Sequence, residues 1–307
     1  VDALTGLLDG PRARGAFLLR TVLEPPWSLR VQDRAPLSVV AVVRGDGWLM
    51  PDGAPPVRLR TGDVAVLRGP EAYGLADDPA TPVQAVVHPG ETSTTPDGVE
   101  LCDQWCRGVR TWGSGPDGPV VLLSGTYQVD GEVSRRLLSA LPQWLVVPRS
   151  DLPVVPLLAE EVTRDLPGQE AVLDRLLDLL LISVLRAWFC RPEANPPAWY
   201  SAHADPVVGR ALHLLHADPA HPWTVGSLAD AVGASRASLA RRFTELVGEP
   251  PMAYLTDWRL SLAADLLREP SATVASVARQ VGYSTAFALS TAFKRERGVS
   301  PSEHRAR

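Results

Sequence analysis

The sequence predicts a multidomain α+β protein: a β-rich N-terminal part, a helical middle and an all-α C-terminal part. Three observations predict it. Residues 39–67 alternate short β-branched runs with glycine-bearing turns at the close spacing of a sandwich or small barrel. Leu173, Leu176, Leu177, Leu180, Val184, Leu185 and Trp188 recur at helical intervals. From Pro222 onward, two segments are written to one plan about fifty positions apart. At 307 residues the chain also exceeds what one core usually holds, so separate domains are expected.

In the first part, to about Pro148, Val39–Val43 is a continuous apolar run, and Arg44-Gly45-Asp46-Gly47 turns it into Trp48-Leu49-Met50. Pro51-Asp52-Gly53 turns again, Val57–Arg60 alternates, and Thr61-Gly62-Asp63 leads into Val64–Leu67. Further strands are expected at Gln84–His88 and Val120–Tyr127. The stretch between His88 and Val120 is too long for an ordinary connection and holds Cys102 and Cys106. A helix over Glu100–Gly108 would put both thiols on one face with Cα atoms ~6 Å apart, within reach of a disulfide. Arg107 and Arg110 would favour the thiolate. A redox pair and a pair of inert buried thiols are both open readings.

From Leu152 to Phe189 the pattern is helical, and Leu179, Leu181 and Ile182 widen the apolar stripe beyond one face. Such a helix has to be covered twice. A second subunit in a symmetric dimer and a neighbouring helix such as Leu157–Arg164 are equally good covers. Cys190 follows with no assigned role, and Arg191-Pro192-Glu193-Ala194-Asn195-Pro196-Pro197 reads as extended, semi-rigid linker. Val207–Leu215 is a further helix; His213, His216 and His221 cluster near it but lack the companions a metal site needs.

In the C-terminal repeat, Thr224 precedes Val225, Leu228, Ala229 and Val232, and Gly233 ends the run; Thr273 precedes Val274, Val277, Ala278 and Val281, and Gly282 ends that one. Leu239, Phe243, Gly248 and Pro251 recur fifty positions on as Leu289, Phe293, Gly298 and Pro301. Each unit is a capped short helix, a glycine turn and a second helix ended by Gly and Pro, which is a helix-turn-helix twice over. A helix carrying Leu255, Leu262, Ala263 and Leu266 joins them and holds two reading helices at a fixed separation, suited to successive major grooves about 34 Å apart.

The runs Ser238-Leu239-Ala240-Arg241-Arg242-Phe243, Ala263-Ala264-Asp265-Leu266-Leu267, Val281-Gly282-Tyr283 and Ala292-Phe293-Lys294, with Gly298-Val299-Ser300-Pro301, resemble the DNA-binding domain of AraC/XylS transcription regulators. Leu59–Leu75, with its Gly62-Asp63-Val64 turn, is similar to cupin barrels, and a barrel ahead of the repeat resembles the cupin-bearing branch of that family. The resemblance implies a cupin-like β-barrel sensor (1–148), a helical dimerisation region (149–190), a linker (191–204) and a double helix-turn-helix domain (205–307). Metal-binding cupins use histidines; residues 37–48 contain none, and Tyr73 stands where the second motif would supply one, so no metal and no cofactor is expected. The barrel then serves as a pocket for a small effector, with Ser38, Val40, Trp48, Tyr73 and His88 as candidates. Some cupin-bearing relatives sense oxidants through cysteines, which keeps Cys102 and Cys106 as redox candidates.

DNA contacts are expected from Ser235, Arg236, Ala237, Ser238, Ala240, Arg241 and Arg242 in the first unit, with Leu239, Phe243 and Leu246 turned inward; for Arg242, phosphate and a neighbouring carboxylate are both open partners. In the second, Ser284, Thr285, Ala286, Phe287, Ser290, Thr291 and Lys294 face outward. The family's base-reading positions fall on Ala237, Ala240 and Arg241; Thr291 replaces a common arginine, so the second helix is expected mainly to clamp backbone with Lys294 and Arg295. The net charge of −5 taken whole argues against a nucleic-acid partner, but it divides unevenly: residues 1–204 carry 18 basic against 25 acidic side chains (−7), and residues 205–307 carry 12 against 10 (+2), a small excess that sits in the repeat half. The expected partners are an operator in double-stranded DNA, a small-molecule effector, a second copy of the chain and, for an activator, RNA polymerase. No membrane span is expected, since Leu176–Phe189 is interrupted by Asp178 and Arg186, and a cytoplasmic location follows. The competing class is an enzyme, either a cupin oxygenase or isomerase or a DNA-repair alkyl acceptor fused to a DNA-binding domain.

Overall fold

The computed structural model describes residues 17–90, 92–127, 131–148, 152–191, 194 and 196–306. One compact unit comprises residues 11–129 and 141–194. Its strands are β1 (Phe17–Leu23), β2 (Ser28–Val31), β3 (Leu37–Arg44), β4 (Gly47–Pro51), β5 (Val57–Leu59), β6 (Val64–Arg68), β7 (Tyr73–Ala76), β8 (Ala85–Val87), β9 (Ser93–Thr94), β10 (Cys106–Gly108), β11 (Thr111–Trp112), β12 (Val120–Tyr127) and β13 (Trp144–Val147). Seven form a sheet in the order β10-β11-β1-β12-β3-β6-β13, and six form another in the order β5-β4-β7-β2-β8-β9. The long strands pair antiparallel, with Val40 of β3 opposite Ser124 on one side and Ala65 on the other. The barrel expected from the sequence is therefore two sheets rather than one closed ring. Among the described strands, the edges β5, β9 and β10 are only two or three residues long, too short to carry a ladder from one sheet to the other.

The two sheets share one core. Leu23, Val40, Val42, Leu67 and Leu122 of the first meet Leu29, Leu49, Leu59 and Leu75 of the second. β3 is buried from Leu37 to Val42 on both faces, which is why it is written as an unbroken apolar run instead of an alternating one. The helix α1 is a single turn, Cys102–Trp105, and Cys106 opens β10 with extended backbone. The thiols thus do not share a helical face as the spacing predicted. Loop and strand geometry, with the tilted Trp105 and Trp112 rings in contact 4.6 Å apart, overrides the weak local helix signal.

Two longer helices complete this unit, α3 (Val154–Glu161) and α4 (Gln169–Phe189), with α2 (Glu132–Ser139) preceding them in the chain. α4 buries Leu173, Leu177, Leu180, Leu181, Val184, Leu185 and Phe189. α3 packs along it, and the fully buried Tyr127 hydroxyl donates to the Leu177 carbonyl at 2.8 Å, tying the end of β12 to α4. A helix of the same chain thus covers one α4 face, while Leu179 stays 48% exposed.

The second compact unit contains residues 130–140 and 195–307, so α2 packs here although its neighbours along the chain, β12 and β13, belong to the first. Of the expected linker, Pro192, Glu193 and Asn195 lie outside the described residues. The helices are α5 (Ala198–Ser201), α6 (Val208–Ala217), α7 (Val225–Val232), α8 (Arg236–Val247), α9 (Pro251–Leu266), α10 (Val274–Gln280), α11 (Ala286–Arg297) and α12 (Pro301–Arg305). The repeat is visible in the caps: Thr224 with Ser227 opens α7, and Thr273 with Ser276 opens α10, each pair exchanging both hydrogen bonds of a capping box. Gly282 has φ +84°, and a Cβ there would lie 2.7 Å from the Ala220 carbonyl, so the turn before α11 requires glycine twice over. Leu289 and Phe293 of α11 close a core with Leu260, Ala263, Ala264 and Leu267 of α9 and its C-terminal turn and with Val277 of α10. Phe243 of α8 meets Tyr254 of α9 edge to face at 5.7 Å, and His216 donates to or accepts from the Tyr254 hydroxyl at 2.7 Å. His216 is thereby a packing residue.

Candidate nucleic-acid interface and ligand cavities

Both reading helices bury the same two positions, Leu239 and Phe243 in α8 and Leu289 and Phe293 in α11. The opposite stripe of α8 is Ala237, Ala240, Arg241 and Thr244, and that of α11 is Phe287, Ser290, Thr291 and Lys294, both at i, i+3, i+4, i+7. Ser235 caps α8 by accepting from the Ser238 N–H at 3.2 Å, and Thr285 caps α11 by accepting from Ala288 at 3.1 Å. Each cap satisfies one of the free N–H groups of its first turn; the remaining ones, with the positive end of the helix dipole, suit an anionic phosphate. Leu246, expected inside, is 38% exposed: it falls one turn beyond Phe243, where α8 runs out toward Gly248 and no helix covers it.

The cations divide into two sets. Arg241 is exposed and pairs along its own helix with Glu245 at 2.9 Å. Arg242 instead turns inward to Asp205, donating through Nε at 2.7 Å, which makes its role that of a brace between α8 and the start of α6. Asp205 was not legible as a functional residue. Burial would raise its carboxyl, but N–H donors from Val208 and Val207 and the Arg242 guanidinium together hold it below the ordinary value. On α11, Arg295 pairs with Glu296, and Arg297 reaches Ser261 at 2.8 Å, Asp257 at 3.3 Å and Glu132 at 3.6 Å. Lys294 stays on the exposed stripe.

In the first compact unit a cavity of about 380 Å³ opens between the sheets. Ser38, Tyr73 and His88 line it; Val40 and Trp48 do not. Val40 points into the shared core, and Trp48 lies under the Arg58 guanidinium at 5.8 Å. The Tyr73 phenol is pushed up by burial and by Asp33, against a hydrogen bond with Ser38, so it remains a neutral hydroxyl across the physiological range. Both His88 ring nitrogens are engaged, Nδ1 with Gln32 at 3.2 Å and Nε2 with Thr94 at 2.9 Å. The sequence reading missed Thr21, Ser124 and Thr126, which add hydroxyls from β1 and β12, two strands with no turn signal to align them. A smaller cavity of about 260 Å³ shares Leu19, Val87 and Trp112 with the first, and both Cys102 and Cys106 line it, neither in a disulfide. Cys102 Sγ accepts from the Ser93 N–H at 3.4 Å. Among the described residues, no group of three or more His, Cys, Asp or Glu side chains is arranged to hold a metal ion. Nor does any described helix have the length and apolarity to cross a membrane.

Comparison with known proteins adds an independent line. A cupin family model matches residues 2–190, and a helix-turn-helix domain model matches residues 228–307. The chain is 34% identical to a putative AraC-like transcription regulator of Streptomyces lividans over 99% of this chain and 98% of that one. It is 35% identical to the HTH-type transcriptional regulator AlkR of Acinetobacter baylyi, over 58% of this chain and 60% of the relative. Among solved structures, the DNA-binding domain of AdpA in complex with a target DNA is 30% identical, covering 33% of this chain and 91% of that one with a TM-score of 0.32.

Proposed function

The chain belongs to the AraC family of transcription regulators, with a cupin domain ahead of its DNA-binding helix-turn-helix domain, and from that premise we propose that a small molecule held between the cupin sheets controls sequence-specific operator binding. The observation that carries the effector reading is the 380 Å³ cavity, apolar in its walls and provided with the neutral Tyr73–Ser38 pair. Its volume falls within the ~300–1,000 Å³ range of ordinary small-molecule sites. In this reading α8 and α11 enter successive major grooves, Ser235, Arg236, Ser238, Ser284 and Thr285 hold backbone, and Arg241 reads a base. The effector acts by binding one state of the cupin unit better than another, and its influence is bounded by that difference in affinity. The protein works in the cytoplasm as a homodimer, contacts RNA polymerase where it activates, and catalyses no reaction.

A second reading is favoured by one specific observation: Cys102 and Cys106 line a cavity adjoining the first, so thiol oxidation would reshape the same walls. The two readings separate experimentally. Genome fragments recovered by the purified full chain are expected to share a short site, and a reporter placed under that site reports the response in cells. Ser124→Trp, which fills the larger cavity, should leave site selection intact and abolish the response. The double variant Cys102→Ser and Cys106→Ser should leave both intact. The reverse pattern would replace the ligand by a thiol switch, and recovery of fragments with no common site would overturn the operator reading itself.

A further inference from the structure

We infer that α11 recognises the 5-methyl group of thymine through Phe287, so that the second reading head discriminates by apolar contact rather than by hydrogen bonding. The inference rests on the reading of α8 and α11 as groove-entering helices. Phe287 is 81% exposed, and the next most exposed large hydrophobic side chain among the described residues, Leu166, is 58% exposed. The Thr285 cap fixes the first turn of α11, and Phe287 lies on it nearly opposite the buried Leu289, at the head of the outward stripe. A side chain of this size held out from a packed helix gains by leaving water when a matching surface arrives.

What that surface must be follows from the rest of the stripe. Fifty positions earlier the same places carry Ala237, Ala240, Arg241 and Thr244, and here they carry Phe287, Ser290, Thr291 and Lys294. The arginine fork of the first head is thus a threonine in the second, and no Asn or Gln takes its place. Serine and threonine hydroxyls pair with donors and acceptors alike, and a lysine ammonium is a point charge that suits phosphate. Through these polar groups none of the three separates one base pair strongly from another, and the Thr291 methyl offers far less apolar surface than the Phe287 ring. The only apolar group on the base edges of the major groove is the thymine methyl, and an aromatic side chain is one of its recognised partners. Arg297 does not supply the missing specificity, being paired with Asp257, Ser261 and Glu132, and Arg295 stands beside Lys294 off the outward stripe, where it serves the backbone clamp. Discrimination on α11 then falls to Phe287.

The test selects duplexes from a random library with the full-length protein, wild type and the Phe287→Ala and Phe287→Leu variants. Circular dichroism melts establish that each variant is folded. The wild type should select an invariant thymine that Phe287→Ala loses and Phe287→Leu partly keeps, with Phe287→Ala binding the wild-type site roughly tenfold more weakly. Replacing that thymine by deoxyuridine removes the methyl alone. It should weaken wild-type binding about fourfold and leave the Phe287→Ala variant unaffected. Identical selected sites for wild type and Phe287→Ala, or wild-type binding indifferent to the methyl, would overturn the inference while operator binding stands. Failure of the wild type to select any sequence would instead remove the reading beneath it.

Discussion

At the scale of single residues, neighbouring arginines on α8 have opposite fates. Arg242 is drawn to Asp205, whereas Arg241 faces outward with only Glu245 to hold it. An exposed pair four residues apart on a helix contributes about 0.3–0.5 kcal/mol, too little to resist a guanine edge, where a guanidinium fork is worth ~1–3 kcal/mol of discrimination. Arg241→Ala should therefore relax the preference at a single base pair by roughly 5- to 150-fold. Glu245→Gln should leave the preferred base unchanged and bind the same site at least as tightly, because it removes a negative charge from the DNA face. Competition binding against duplexes altered one pair at a time measures both; a uniform loss across all sequences would make Arg241 a phosphate contact instead. That Arg241 faces outward was legible, because it stands two positions after the inward Leu239. That Arg242 holds a carboxylate was one of two open readings, but which carboxylate was not legible, since Asp205 is 37 positions away and carries no local signal.

Among the elements, the repeat was legible because each of its parts is written locally: the cap, the apolar interval, the glycine and the terminal proline. β3 and β12 were legible for a similar reason, each being a continuous run of β-branched or apolar residues. α2 was not, because what fixes its N-terminus lies 132 and 133 positions away, where the Asp265 carboxylate of α9 accepts the Glu132 N–H at 2.6 Å and the Val133 N–H at 3.1 Å. Gly131, just ahead, has φ +127°, and a Cβ there would come within 2.7 Å of that carboxylate. The cap is borrowed from another helix, and it has a cost: burial raises the Asp265 pKa, partly offset by the two N–H donors and Arg268. The sign follows directly. A carboxyl whose folded value exceeds its unfolded one destabilises the fold once ionised, so this penalty is absent at low pH and grows as pH rises from the ordinary carboxylate value through the raised one. Asp265→Asn, which keeps an acceptor without charge, should match or exceed wild-type stability at neutral pH and converge with it below about pH 4. Asp265→Ala loses the cap at a cost of about 0.5–2 kcal/mol. Hydrogen exchange of residues 131–140 should accelerate in the alanine variant and not in the asparagine one. Equal acceleration in both would mean that the charge, rather than the hydrogen bonds, holds α2.

For the whole molecule, the decisive quantity is how little positive charge the DNA-binding part has to spend. Its excess of +2 is small, and several cations are spent on partners within the chain: Arg242 on Asp205, Arg259 on the Pro219 and His221 carbonyls, Arg297 on Asp257 and Ser261, and Arg305 on the Pro270 and Ala272 carbonyls. On the reading proposed above, what remains toward a duplex is Arg236, Arg241, Lys294, Arg295 and the N-termini of α8 and α11. Three to five phosphate contacts are about what such a face supports, each contributing ~0.9 to the slope of log affinity against log salt. Raising monovalent salt from about 50 to 200 mM should thus weaken operator binding by roughly 40- to 500-fold. The cupin part, at −7, repels the same phosphates and cannot add to that slope. Low non-specific attraction then leaves base reading to decide where the protein stays, which is consistent with the fork on α8 and the exposed ring on α11. Fluorescence anisotropy of a labelled operator across a salt series measures the slope. A value near −10 would require a broad basic field that the sequence does not carry, and a slope near zero would mean that the repeated helices meet something other than a phosphate backbone.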